Sequence, residues 1–423
     1  MQNLFSTFLR LFRPSRPVPE EYRAMFKHLY WDISWFGLLN GSILAFLAVY
    51  ATRLGATSGQ IGFLGAAPAV VALIFTFAAR RWLEKRSVHQ GVFWGSVLHR
   101  GFYLFFPFLP LFFDNLTQVW VIIGATLLMS VPAVVLNIGF NALFAEAVPV
   151  EWRSYVSGVR NAFFSLTTIV STIVCGQLLE NLTFPIGYQV VFAIGFVGAV
   201  MSSVELWFVR PKETILVSPT AAAASGTSRR NLFINLKQML RVDILGGPFR
   251  RTLLLFFFFH LFQYLAIPIF PIYMVNTLNL SDQVIGLGNG LFYVTVFIGS
   301  LFGSRMVGRW GNQKMTGVGV ALLCLYPVLL IFSKTLTVYS ITSLAGGLAW
   351  SIVNVAYINY LLEKVPAGDK PAYLAWYHLL ANGAILIGSL GGPLVAEAVG
   401  LVGALLIFGI GRFLAGSAIL RWG

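Results

Sequence analysis

Charge is what this 423-residue chain lacks most. Charged residues make up only 10% of it, whereas a soluble globular chain carries about a quarter. An ordinary soluble domain is therefore excluded. Acids are the scarcer sign, with 15 Asp and Glu against 29 Lys and Arg. Cysteine is nearly absent: Cys175 and Cys324 lie far apart in apolar runs, which excludes a disulfide framework or a cysteine metal cluster. No HExxH pair, clustered carboxylates or serine–histidine dyad falls on a shared helix face, so neither an enzyme nor a metal or cofactor site is expected. Long polar stretches are missing too, apart from one near 210–250. No soluble catalytic domain has room.

Apolar residues fill the space, at 57% of the chain with 15% aromatic. A helix needs about 20 apolar residues to cross a bilayer. Six such stretches are predicted near 29–52, 58–79, 91–113, 117–147, 155–179 and 187–209. Six more follow near 252–275, 284–307, 315–332, 336–362, 372–395 and 401–420. The fourth and tenth are long enough to project beyond the hydrocarbon. The expected fold class is thus an all-α integral membrane protein, with twelve transmembrane helices in two six-helix bundles.

The basic charge has a topological explanation. With the N-terminus in the cytoplasm, twenty-four Lys and Arg fall on the cytoplasmic side and only Arg53 and Lys334 outside; Arg100, Arg160 and Arg412 lie within spans. That asymmetry is the positive-inside pattern, so nucleic acid is not needed to account for it. The opening MQNLFSTFLRLFR is too short and too interrupted by arginine for a cleaved signal peptide. It reads as an amphipathic helix on the membrane face, in a cytoplasmic segment 1–28. In the long loop, SPTAAAASGTSRR reads as linker and NLFINLKQMLRVDIL as a lateral interfacial helix. The domain expectation is a bundle over 29–209, a linker over 210–250 and a second bundle over 251–423.

The halves repeat one another. LFAEAVPVEWRSYVSGVRNAF (143–163) aligns with YLLEKVPAGDKPAYLAWYHLL (360–380), and GATSGQIGFLG (55–65) with NLSDQVIGLGN (279–289). The same register sets WLEKRS (82–87) opposite MVGRWG (306–311). Repeated six-helix halves with a solute site between them are a transporter architecture. The whole arrangement resembles the major facilitator superfamily. That family's Gly-x3-Asp-Arg-x-Gly-Arg-Arg type motif has a degenerate copy in RRWLEKRS, with Glu84 at the acid position, Lys85 at the basic one and Ser87 replacing glycine. Its echo is SRMVGRWGNQK, where Arg309 and Gly311 match and Gly308 replaces the acid. The resemblance implies alternating access, with Glu84, Lys85 and Arg309 as cytoplasmic gate candidates. The fifth span, STIVCGQLLE, lacks the Gly-Pro-rich signature common in the family's drug–proton antiporters, and the fourth has no arginine.

Polar residues within spans are candidate functional groups, because burying them in lipid is costly. In SVLHRGFYLFF, Arg100 is close to mid-membrane, with Ser96 and Tyr103 on its face. The acids all lie toward predicted helix ends, so no carboxylate partner is expected for it. Arg100 then either recognises an anionic solute group or ties helices together. His99 reads as a packed histidine. Substrate-cavity candidates are Asn40 in the first span; His260, Gln263 and Tyr264 in the seventh; Asn137 in the fourth; and Asn354 with Tyr357 in the tenth. The repeat pairs Asn40 with Tyr264 and Asn137 with Asn354. Such neutral groups suit an organic solute. Coupling candidates are His260, the deeper, and Asp32, placed one turn into the first helix.

The sequence thus predicts a monomeric secondary transporter in the plasma membrane, with both termini cytoplasmic. It would move a small organic solute, with a proton or sodium ion as the possible coupling partner. The alternatives are an exporter of lipophilic compounds and a receptor or scaffold that keeps the fold without turnover.

Overall fold

The computed structural model describes residues 17–83, 86–211, 241–366 and 370–423. The expected helix at 1–13, the lateral helix before Arg241, and Glu84 and Lys85 lie outside them.

Among the described residues the chain forms twelve membrane helices. The first six are α1 (Glu20–Arg53), α2 (Ser58–Leu83), α3 (beginning as Val88–Gly101), α4 (Asn115–Ala147), α5 (Val150–Asn181) and α6 (Ile186–Phe208). The second set is α7 (Phe249–Thr277), α8 (Asp282–Trp310), α9 (Asn312–Ile331), α10 (Leu336–Glu363), then α11 (370–399) and α12 (401–422). Local chemistry sets the ends. Asp114 caps α4 through the amides of Leu116 and Thr117, and Ser281 and Thr335 cap α8 and α10. The turn between α11 and α12 is one residue, Gly400, at φ 77°, a conformation glycine adopts without strain. After Gly101, α3 tightens into 3-10 turns before Leu109–Phe112. Pro107 and Pro110 remove amide donors from that stretch.

One expectation changes and another is met. α1 starts at Glu20 rather than near 29, so Asp32 lies about three turns in, not one. α4, at 33 residues, is about 50 Å long and does exceed the hydrocarbon.

Helix α1 packs between α5 and α6, and α3 against α4 and α6. In the second half α7 packs on the α11–α12 segment, and α9 on α10 and on that segment. The halves meet along α5 with α8 and α2 with α11. Small residues permit this approach. A Cβ on Gly286 of α8 would stand 2.6 Å from the Thr172 carbonyl of α5, and one on Gly62 of α2 would stand 2.5 Å from the Ser389 carbonyl of α11.

The apolar core is forked. One cluster draws on both halves, including Phe46, Tyr50, Phe106 and Phe192 with Ile269, Tyr273, Tyr339 and Phe408. It occupies the end bearing Arg53. Toward the other, basic end it gives way to separate clusters, each confined to one half. Phe26, Leu29, Leu143, Val156 and Leu206 belong to the first half; Phe256, Phe259, Val353, Tyr360 and Tyr377 belong to the second.

Candidate functional site

Toward the basic end the halves share no apolar cluster, and the candidate residues lie on the helices that border this divide. On α1, Asp32, Phe36 and Asn40 recur every four residues and share a face. Opposite them on α5 stand Arg160, Phe164 and Thr168, in the same spacing. The rings of Phe36 and Phe164 stack with centroids 5.9 Å apart. Asn40 donates through Nδ2 to the Tyr293 hydroxyl of α8 at 3.0 Å, and Phe164 meets the Tyr293 ring edge-on. Asn40 begins a π-helical turn, Asn40–Leu44, and α7 has its counterpart at Tyr273–Thr277. Such bulges shift the i→i−4 ladder and are frequent at functional sites.

On the second half, His260 Nε2 lies 3.1 Å from the Tyr377 hydroxyl, joining α7 to α11. Tyr264 and Tyr357 stand near Tyr377. The Gln263 side-chain oxygen is buried without a partner. Asn354, Asn137 and Asn141 are exposed toward the basic end, and Tyr357 is half-buried. The structure therefore brings Asn40 to the junction of the halves and groups His260, Tyr264 and Tyr357 on the second half. Asn137 and Asn354 lie nearer the basic end. Arg309 is exposed at the end of α8.

Arg100 does have a carboxylate. Its Nη2 lies 3.9 Å from Asp32, which also receives two 3.3 Å bonds from Arg160 and one of 2.6 Å from the Ser202 hydroxyl. All three charged residues are buried. Arg160 donates further to the Leu29 carbonyl at 2.9 Å and lies over the Phe140 ring. Arg100 is held more loosely, by a 3.4 Å bond to Ser203 and the face of Phe36, with Nε unpartnered. The expectation of no mid-depth acid fails because α1 starts nine residues early and carries Asp32 inward. His99 is packed as expected, against the Met129 carbonyl at 2.9 Å.

Arg412 solves a different problem. It is 2% exposed and has three backbone acceptors: Phe262, Gln263 and Leu323. The Leu323 carbonyl would normally receive the amide four residues on, but residue 327 is proline. Phe262 and Gln263 lie just before the break of α7 at Ile267–Pro268. One guanidinium thus serves carbonyls at interruptions in two helices.

At the Arg53 end, polar ties close the halves. Arg53 bonds to Asp282 and to the Leu280 carbonyl, Ser58 to Glu397 at 2.9 Å, and Gln283 to Gln177 at 2.6 Å. None of these pairs stood out in the sequence, because each joins residues more than a hundred positions apart.

Among the described residues no group of three or more His, Cys, Asp or Glu could hold a metal ion. Comparison with solved structures finds the nucleoside transporter NupG twice. A point mutant of it superposes with a TM-score of 0.69 at 13% identity, over 94% of this chain and 99% of that one. The unmutated protein gives 0.64 at 14%, over 94% and 100%. At such identities the likeness is one of fold. No curated protein sequence matches. The profile of the Major Facilitator Superfamily matches residues 33–250 and 252–422. With nearly the whole chain covered by that match and its twelve helices in two halves, this is a multi-pass membrane protein of the Major Facilitator Superfamily of transporters.

Proposed function

We propose that the protein is a secondary transporter carrying an uncharged, ring-bearing organic solute of nucleoside type across the plasma membrane by alternating access. The observation that carries this reading is the forked core: one apolar cluster joins the halves at the Arg53 end, while separate clusters leave them apart at the basic end. A solute would enter between the halves from the basic end, which the positive-inside pattern assigns to the cytoplasm. Rocking of the halves would then exchange the open end for the closed one.

The solute class follows from the lining. Asn40, Tyr293, Gln263, Tyr264 and Tyr357 offer neutral hydrogen-bonding groups and aromatic faces. Asp32 is shared by Arg160 and Arg100, so no free carboxylate is left at this depth for a cation; the surplus guanidinium, Arg100, is engaged by Ser203 and the face of Phe36. The fold likeness to a nucleoside transporter supports the same class. Arg100 on this reading is a structural tie, and His260 is the coupling group, since Asp32 is engaged by Arg160 and Ser202.

A thermal-shift screen of the purified protein tests the solute class. Saturation at a hundred times the dissociation constant stabilises a folded state by about 2.7 kcal/mol. Neutral nucleosides should shift the transition, and organic anions and cations should not. A shift from anions alone, lost in Arg100→Gln, would reverse the assignment.

A further inference from the structure

We propose that a lateral groove between α1 and α5, on the lipid-facing side of the first half, binds an anionic phospholipid. The groove has a volume of about 330 Å³. Its α1 wall is Arg23, Lys27, Tyr30, Trp31 and Ser34, residues spaced to share one helix face. From Arg23 to Ser34 the face runs about 16 Å inward, from two cations at the mouth to aromatic rings and then to a small residue. Phe163 of α5 forms the far wall, stacked on Tyr30 with centroids 6.0 Å apart.

This graded chemistry matches an amphiphile. Arg23 and Lys27 are exposed at the basic end, where a phosphate would sit. Trp31 and Phe163 are 49% and 41% exposed although strongly apolar, so they offer a surface to an acyl chain. The Tyr30 ring lines the groove between them and adds apolar surface for the upper part of the chain. The lining contains no carboxylate. The acid beside it, Glu20, pairs with Arg23 at 3.4 Å, but both side chains are well exposed, and such pairs hold weakly. The proposed solute path is separate: Asp32, Phe36 and Phe164 occupy other faces of the same two helices. Basic pockets between membrane helices on the cytoplasmic side are suited to anionic headgroups.

The test is lipid retention by the full-length protein in native mass spectrometry, with its thermal transition measured as phosphatidylglycerol, phosphatidylcholine or inorganic phosphate is added. The expected result is one retained phosphatidylglycerol per chain and a stabilisation that the other two do not give. The combined change Arg23→Gln and Lys27→Gln should reduce retention at least fivefold. Ser34→Trp, which fills the inner groove, should do the same with both cations present. Arg250→Gln with Arg251→Gln, at the same end on the other half, should leave it unchanged. Equal losses in the groove and control variants would assign the effect to general surface charge and overturn the proposal. So would equal retention of phosphatidylcholine, stabilisation by phosphate alone, or no retained lipid because another part of the chain fills the groove.

Discussion

The Arg53 guanidinium donates to the Asp282 carboxylate at 2.9 Å and to the Leu280 carbonyl at 2.7 Å. It thereby ties the last turn of α1 to the first turn of α8, across the two halves. With both side chains largely withdrawn from solvent, the pair is expected to contribute about 1.5–3 kcal/mol, as hydrogen bonds to charged groups do. Arg53→Gln should weaken the closed Arg53 end by a tenfold or larger shift in population. Labelling a cysteine placed at Thr172 from the Arg53 side should become correspondingly faster. An unchanged rate would remove Arg53 from the closure.

Among the described residues Asp32 is the only carboxylate in contact with two buried arginines. Asp32→Ala should be the most damaging change in the first half, costing about 3–5 kcal/mol, because both guanidiniums lose their counterion. Arg160→Gln should cost more than Arg100→Gln, since Arg160 makes three bonds of 3.3 Å or less and Arg100 one of 3.4 Å. Thermal unfolding of the three variants in one detergent checks the order.

Arg412→Met should destabilise by about 2 kcal/mol or more, since it leaves three buried carbonyls short of a donor. Arg412→Lys should recover only part of the loss, because an ammonium cannot reach three acceptors in a guanidinium's fork geometry. Equal stability of all three forms would show that the carbonyls find donors elsewhere.

His260→Gln should abolish accumulation driven by a proton gradient while sparing equilibrative exchange of solute. Loss of both activities together would make His260 a binding residue; retention of both would dismiss it from coupling.

How much of this was legible in sequence depended on the range of the interaction. The twelve apolar spans are local features, and a hydropathy pattern carries them; the one-residue turn at Gly400 lies in the gap left between the eleventh and twelfth. Depth was less secure. Glu20, Glu21, Arg23 and Lys27 are too polar to be counted in a span, yet they form the first turns of α1. Omitting them misplaced Asp32 and hid its pairing with Arg100. The Asp32–Arg160 pair spans 128 positions and Arg53–Asp282 spans 229; no periodicity reports such contacts. The repeat helped because it is a long-range signal, and it placed Asn40 and Tyr264 in their respective first helices. It did not reveal Tyr293 or Phe164, whose rings read as ordinary membrane aromatics until α1, α5 and α8 are packed.

The most direct test of transport by alternating access is counterflow in proteoliposomes. Vesicles loaded with unlabelled nucleoside would be diluted into a trace of labelled nucleoside, with protein-free vesicles alongside. The account predicts a transient accumulation of label in the protein-containing vesicles, greatly reduced by Asn40→Ala. No accumulation for any neutral ring-bearing solute, from protein that is folded and correctly inserted, would contradict it.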